Sequence, residues 1–453
     1  MERKKCQSTV LDPCSEEAQH STKRGVSRRE FVQTSAGVLA TGALFGKRAF
    51  AAPKPLKIGY VSPLTGALAT FGDADVFVID QIRKTIKGGI MSGGATRPIE
   101  ILVRDCQSNP NRAAEVTVQL IKSDQVELMM SAGSPDVVNP VADQCEINQV
   151  PCVTTDAPWE PYFFGRGGKP DKGFDWTYHF HFSLDDSNDV TADLFDQVPT
   201  NKVVGLLMAN NTQGLYMADP ERGCSPELKA RGYTIIDPGR FQLETADFSA
   251  QIAMFKKANA EVLFGVIPLP TFAVFWTQAA QQGYKPKVCN PGEADLFPSQ
   301  VEALGPRGKY LSSIIDWSRA YPFKSSLTGQ SAAQYCDEYE QITKKQWTQT
   351  LGTRHAVFEV GLDVFKRAQN PGSSASVIDA VRNTKLSTIA GPLQWQGPPP
   401  NKWTKIPVKN VCTIPLVCAQ WVPGKKWMYD YVVVDSTRYP LVHVEAKMMP
   451  MPS

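Results

Sequence analysis

Two imidazoles stand one residue apart at His179 and His181, with Asp185 and Asp186 shortly after them. On a strand, alternate residues share a face, so this is the chain's nearest approach to a metal-binding pattern. A structural or catalytic zinc needs three or four ligands at recognisable spacing. No Cys-x-x-Cys or paired Cys/His spacing accompanies the two histidines. A polar strand face is therefore the expected reading, with no metal and no cofactor. Catalytic patterns are missing as well. The sequence holds no Gly-x-Ser-x-Gly turn, no phosphate loop ending in Gly-Lys-Ser/Thr and no His-Glu-x-x-His helix. Gly165-Arg166-Gly167-Gly168 lacks the final glycine of a dinucleotide turn and its strand–turn–helix placement. The chain reads as a non-enzyme with no catalytic residue.

Groups suited to holding a small molecule are easier to find. Ser131 and Ser134 can offer hydroxyls and nearby N–H groups to a carboxylate or carbonyl, although a serine before a helix serves equally as its cap. Asp156 and Glu293 can meet an ammonium through a charge-assisted bond, or remain a helix cap and a solvated acid. Phe71, Trp159 and, beyond a strand at 311–315, Trp317 can stack on an apolar or aromatic ligand. Each such ring pair contributes about 0.5–1.5 kcal/mol beyond burial.

These residues need a scaffold that gathers them. Short β-rich runs alternate with helical stretches, the pattern of parallel α/β layers. Strands are predicted at 56–61, 99–103, 126–130 and 150–154, with helices at 73–85 and 113–123. The alternation starts again with strands at 203–208, 234–236 and 261–266 and helices at 248–258 and 272–281. Residues 165–175 read as a loop insertion, and the proline-rich tail from Gly391 as a small antiparallel addition. Two α/β halves are the natural arrangement. In an open parallel sheet, ligands meet the loops at the carboxyl ends of the strands. That rule selects 62–66, 131–135, 154–159, 210–214, 268–272 and 290–293.

The amino terminus carries a different kind of signal. Ser27-Arg28-Arg29-Glu30-Phe31 sets paired arginines before a short Ala/Gly-rich apolar run, and Ala49-Phe50-Ala51 has the small-x-small form of a cleavage site. The pattern resembles a twin-arginine export leader over residues 1–51, cut near Ala51. Beyond the leader the chain carries 39 basic and 40 acidic residues, so its charge is near balance. Nothing in that balance calls for nucleic acid or an anionic membrane as partner. Eight cysteines follow the leader; an oxidising compartment permits disulfides among them, and the sequence leaves their pairing open.

Several stretches in order resemble the type I periplasmic binding proteins of the branched-chain amino acid transport family. Leu56–Gly72 is similar to that family's opening strand and Pro-Leu-Thr-Gly turn. Gly88-Gly89-Ile90 and then Arg97-Pro98-Ile99-Glu100 to Arg104-Asp105 resemble its second-strand signature, with Met91–Thr96 inserted between. Ala246–Ile252, Ala280–Pro286 and Gly391–Trp395 match later signatures. The resemblance spans about 56–435. It implies two Rossmann-like lobes joined by three hinge crossings, with residues 54–180 and 325–395 in one lobe and 181–324 and 396–453 in the other. It implies a monomer in the periplasm that captures an amino acid, an amide or urea-like solute, or an aromatic acid, and delivers it to an ABC permease in the inner membrane. The site residues carried over by position are Phe71, Ser131, Ser134, Thr155, Asp156, Gln213, Pro268 and Glu293. The sequence departs from amino-acid binders at Thr155-Asp156-Ala157-Pro158-Trp159, and in having Gln213 and Pro268 where second-lobe aromatics are usual. A sensing module of the same fold, feeding a signalling partner, is the alternative; neighbouring permease and ATPase genes would separate the two.

Overall fold

Along Leu56–Ser62, Leu56, Ile58 and Tyr60 point to one face of a sheet and Val61 to the other, as the two-residue strand period requires. The computed structural model describes residues 53–395, 397 and 401–452, so the leader lies outside the described residues. Leu56–Ser62 pairs in parallel with Ile99–Asp105 on one side and Leu128–Ala132 on the other. Cys152–Thr155, Thr177–Phe180 and Val411–Cys412 extend the same sheet, all parallel. Such a sheet must be covered on both faces. Helices Asp75–Thr85 and Thr350–Arg367 cover one face, with Phe77, Ile82, Phe358 and Leu362 against Ile58, Tyr60 and Met130. Helices Pro110–Lys122 and Pro135–Asn148 cover the other, with Val116, Leu120 and Val141 against Val61 and Met129. Gly361 lets the long helix approach closely, since a Cβ there would lie 1.7 Å from the Met130 methyl.

The second sheet repeats the plan. Val203–Ala209 pairs in parallel with Val262–Val266, Thr234–Ile236 and Arg240–Phe241, and Val288–Asn290 continues beyond Val262–Val266. Helices Ser249–Lys257 and Leu269–Gln281 pack on the Leu207 and Leu263 face. Helices Leu184–Asp196 and Cys224–Ala230 pack on the Leu206 and Met208 face. The result is the two-lobed α/β architecture expected.

A third, antiparallel sheet joins Ser312–Ile315, Val417–Pro423 and Tyr429–Asp435. It includes the predicted tail addition. The chain leaves the first sheet after Phe180, returns between Ile315 and the helix Ala332–Thr343, and leaves again between Cys412 and Val417. The last passage differs from the expected boundary at 395/396, because Val411–Cys412 still pairs with His179 and Phe180 of the first sheet. The strand expected at 126–130 begins two residues later, at Leu128. Gln125 has φ 55°, and the Val126 N–H closes back on the Leu120 carbonyl, so these residues end the preceding helix. All eight described cysteines are buried and unbridged. Among the described residues no helix is long and apolar enough to cross a membrane.

Candidate functional site

The carboxyl ends of seven strands converge on one cavity. Ser134, Asp156 and His181 follow the first-sheet strands ending at Ala132, Thr155 and Phe180. Gln213, Val266 and Glu293 mark the ends of second-sheet strands, and Asp316 follows Ser312–Ile315. The first turn of Thr350–Arg367 closes the floor with Thr350. The cavity volume is ≈ 80 Å³; since about 10–15 Å³ of such space holds one water, it suits a few waters or one small solute. Two contacts span the lobes at its rim. Thr212 Oγ1 donates to Asp136 Oδ1 at 2.8 Å, and Phe71 meets Phe297 edge-on at 5.0 Å. The lobes are therefore drawn together.

Below the cavity lies a fully buried guanidinium. Arg354 stands one turn along the same helix face as Thr350, the i,i+4 relation. Its Nε donates to Asp75 Oδ1 at 2.8 Å, one terminal nitrogen to Asp156, and the other to the Phe71 carbonyl at 2.7 Å. Tyr60 adds a hydroxyl to Asp75 at 3.1 Å. Asp156 holds φ 72°, a left-handed conformation that aspartate tolerates better than most residues. Its carboxylate was expected to face a ligand ammonium; the structure pairs it with Arg354 instead.

Beside this pair, His181 Nε2 meets Asp316 Oδ2 at 2.6 Å and lies 4.0 Å from Asp156 Oδ1. The ligand atoms of Asp156, His181 and Asp316 lie within 4.8 Å of one another, a donor set able to accept a divalent ion. Asp185 and Asp186 take no part in it. His179 belongs to the core. It bonds the Thr154 hydroxyl at 2.8 Å and the Ala157 carbonyl at 2.7 Å, and burial holds its pKa well below the ordinary histidine value.

The remaining wall is polar and unsatisfied. Ser134 Oγ, Thr191 Oγ1, Thr350 Oγ1, His181 Nδ1 and Asp316 Oδ1 are buried, belong to cavity-lining residues and have no hydrogen-bond partner among the described residues. Burial pushes the Glu293 carboxyl up to about 7, with the nearby Asp136 charge adding to the shift. Burial also raises Asp316, against the opposing bond from His181.

Of the residues expected at a site, Phe71, Ser134, Asp156, Gln213 and Glu293 line this cavity. The structure places the other five elsewhere. Ser131 lies within its strand and donates to the Val61 carbonyl at 2.8 Å. Thr155 likewise donates to the Phe180 carbonyl at 2.9 Å. Trp159 is fully buried in a satellite core against Phe163 and Phe164. Pro268 begins the helix Leu269–Gln281. Trp317 packs its indole over Gly352, where a Cβ would meet it at 2.2 Å, and donates to the Ile389 carbonyl at 3.0 Å. His181 and Asp316 were missed as cavity residues, though the strand-end rule points at both.

A sequence profile of periplasmic binding proteins matches residues 55–402. Among solved structures, the chain resembles a leucine-binding protein, LivK, from Thermotoga maritima at 18% identity. That match covers 84% of this chain and 99% of the other, with a TM-score of 0.64. It resembles the branched-chain amino acid transporter substrate-binding protein LivJ of Streptococcus pneumoniae, solved with isoleucine, at 15% identity. There the match covers 84% and 99% of the two chains, with a TM-score of 0.64. A solute-binding protein of an ABC transporter from Rhodopseudomonas palustris BisB5, solved with 3,4-dihydroxybenzoic acid, matches at 17% identity. It covers 88% of this chain and 99% of that one, with a TM-score of 0.62. At such identities the likeness carries the fold.

Proposed function

The chain belongs to the periplasmic binding protein family, and from that premise we propose that it is the solute-binding component of an ABC importer, capturing a small organic molecule reversibly by lobe closure. The observation that carries this reading is the set of buried, unpartnered polar atoms around one cavity. Leaving a buried donor or acceptor unmet costs about 1–3 kcal/mol, and such a concentration at the strand ends suits a ligand that supplies the missing partners. Ser134, Gln213 and Glu293 are proposed as ligand contacts, with Phe71 as an apolar wall; Asp156 acts through Arg354 in shaping the floor. The solute is bound without conversion and passed to an inner-membrane permease.

A thermal-shift screen of amino acids, amides, ureas and aromatic acids tests the reading, because a ligand that binds only the folded state raises the melting temperature by mass action. Isoleucine and 3,4-dihydroxybenzoate, the ligands of two structural neighbours, belong in the panel. A hit should be recovered unchanged after incubation; its chemical turnover would sink the proposal. Export to the periplasm through the paired arginines is proposed with it. Replacing Arg28 and Arg29 by lysine should leave the protein in the cytosolic fraction, and unchanged periplasmic recovery would remove the twin-arginine route.

A further inference from the structure

We propose that Asp156, His181 and Asp316 form a binding site for one divalent transition-metal ion of the zinc or nickel kind, with an open coordination position facing the cavity. The site goes beyond solute capture and does not depend on it.

The three side chains reach one point from separate parts of the chain. Asp156 and His181 follow the neighbouring strands Cys152–Thr155 and Thr177–Phe180, and Asp316 follows Ser312–Ile315 of the antiparallel sheet. One ligand atom from each lies within 4.8 Å of the other two. All three residues are more than nine-tenths buried, with relative exposures of 7%, 4% and 5%. His181 Nε2 stands 2.6 Å from Asp316 Oδ2 and 4.0 Å from Asp156 Oδ1, so it faces both carboxylates at once. In a tetrahedral shell with bonds of about 2.1 Å, donors stand about 3.4 Å apart. The shorter separation must open and the longer one close by less than about 1 Å each, shifts that side-chain rotation supplies.

Two observations point to a ligand here. His181 Nδ1 and Asp316 Oδ1 are buried without a hydrogen-bond partner among the described residues. With an ion on Nε2, Nδ1 keeps the proton and can donate to whatever enters the cavity, while Asp316 Oδ1 can turn to the ion as a second oxygen. The second observation is charge. Asp75, Asp156 and Asp316 are three carboxylates, and Arg354 is the guanidinium bonded to the first two. With the imidazole neutral, as a metal ligand must be, these groups sum to −2 when the acids are ionised. A divalent ion cancels that charge. Arg354 leaves room for it: the guanidinium takes Asp156 through Oδ2, and Oδ1 has only a long 3.4 Å bond from the Thr155 hydroxyl.

One imidazole nitrogen with carboxylate oxygens suits zinc, nickel or cobalt(II), whereas magnesium and calcium favour all-oxygen shells. Three protein ligands leave a fourth position open. All three residues line the cavity, so an oxygen of a solute or of water can take that position. No spacing rule flags the set, because Asp316 joins His181 across 135 residues.

Calorimetric titration of the chelator-stripped protein with zinc, nickel and cobalt(II), and separately with magnesium and calcium, tests the site. One equivalent of at least one of the first three should bind more tightly than magnesium or calcium. Loss of an outer-shell partner alone weakens metal binding by about 10–100-fold. His181→Ala and Asp316→Asn, which remove ligands, should therefore each weaken it by about tenfold at least, with far-ultraviolet circular dichroism confirming the fold. His443→Ala, at an exposed histidine, should leave binding unchanged. The visible spectrum of cobalt(II) on the parent chain gives a readout that needs no variant: nitrogen–oxygen ligation supports the site, and thiolate bands, which would place the ion on a cysteine, overturn it. Binding of none of the three ions, binding retained in both folded variants, or equal affinity for magnesium also overturns it. Solute binding by the stripped protein reads the capture function separately, so failure of the metal site leaves that reading standing.

Discussion

At the floor of the cavity the Arg354 guanidinium meets two carboxylates and a carbonyl, while at the wall the Glu293 carboxyl is buried with no cation to meet it among the described residues. Both groups are buried, Arg354 completely and Glu293 nearly so, and both lie near the same small space. At the floor every guanidinium nitrogen donates to an acceptor, so the cation is fully met, while the second Asp75 oxygen has no partner among the described residues. The wall carries hydroxyls and an Asp316 oxygen without partners among the described residues, which a guest would complete on the proposed reading. On the proposed reading, the difference separates residues that hold the fold from residues that would meet a ligand. It also says what each should do when replaced.

The largest effect is expected at the floor. Arg354→Leu would leave Asp75 and Asp156 buried without their shared counter-ion, and breaking a buried pair from one side costs about 3–5 kcal/mol. Denaturant unfolding should show that loss without any ligand present. Arg354→Lys should recover only part of it, because an ammonium cannot reproduce a fork that reaches three acceptors. A leucine variant as stable as the parent would erase the distinction between floor and wall.

Glu293→Gln should move stability the other way. The folded carboxyl is raised to about 7 from an ordinary value of 4.5, by burial first and by Asp136 second. Below 4.5 both folded and unfolded chains hold the proton, and the group contributes no difference. Between 4.5 and 7 the folded chain keeps a proton that the unfolded chain has lost, so stability falls as pH rises; above 7 the penalty is constant. The glutamine variant should therefore match the parent near the acid end of that window. At pH 8 it should exceed the parent by up to roughly 3 kcal/mol. Such a gain at the expense of binding is the usual trade at a functional site. A variant less stable than the parent at pH 8 would mean that Glu293 has a structural partner after all.

Much of this architecture was legible because parallel strands buried on both faces leave strong apolar runs, as at Leu56–Val61 and Val203–Met208. The strand-end rule located part of the cavity: the loops 131–135, 154–159, 210–214 and 290–293 contribute lining residues, and 62–66 and 268–272 contribute none. It failed by single residues where side-chain alternation decided the outcome. Ser131 and Thr155 still belong to their strands, so their hydroxyls turn to neighbouring carbonyls, whereas Ser134 and Asp156 lie just beyond and reach the cavity. The two tryptophans misled for another reason: a large ring looks like a ligand platform in sequence, yet Trp159 and Trp317 are fully buried. Arg354 gave no local signal. It joins Asp156 across 198 residues and Asp75 across 279, and no spacing rule reaches that far. Its helix, Thr350–Arg367, lacks a side-chain N-cap, so its start was not marked either.

The smallest expected effect lies at the rim, where the two lobes touch rather than where either holds charge. Thr212 Oγ1 reaches Asp136 Oδ1 from the opposite lobe at 2.8 Å, a bond that the proposed lobe opening would break. Thr212→Val keeps the shape and removes the donor. A hydrogen bond of this kind is worth about 0.5–1.5 kcal/mol net, so solute affinity should fall by roughly two- to tenfold, with most of the change in the release rate. If the lobes open without solute, as the proposed function holds, ligand-free stability should hardly move. If affinity is unchanged, the closed state is held by the Phe71–Phe297 contact and the filled cavity instead, and Phe297→Leu should then produce the larger loss. Equal, small losses in both variants would place the closing energy in the solute's own contacts, which is where an incomplete wall would put it.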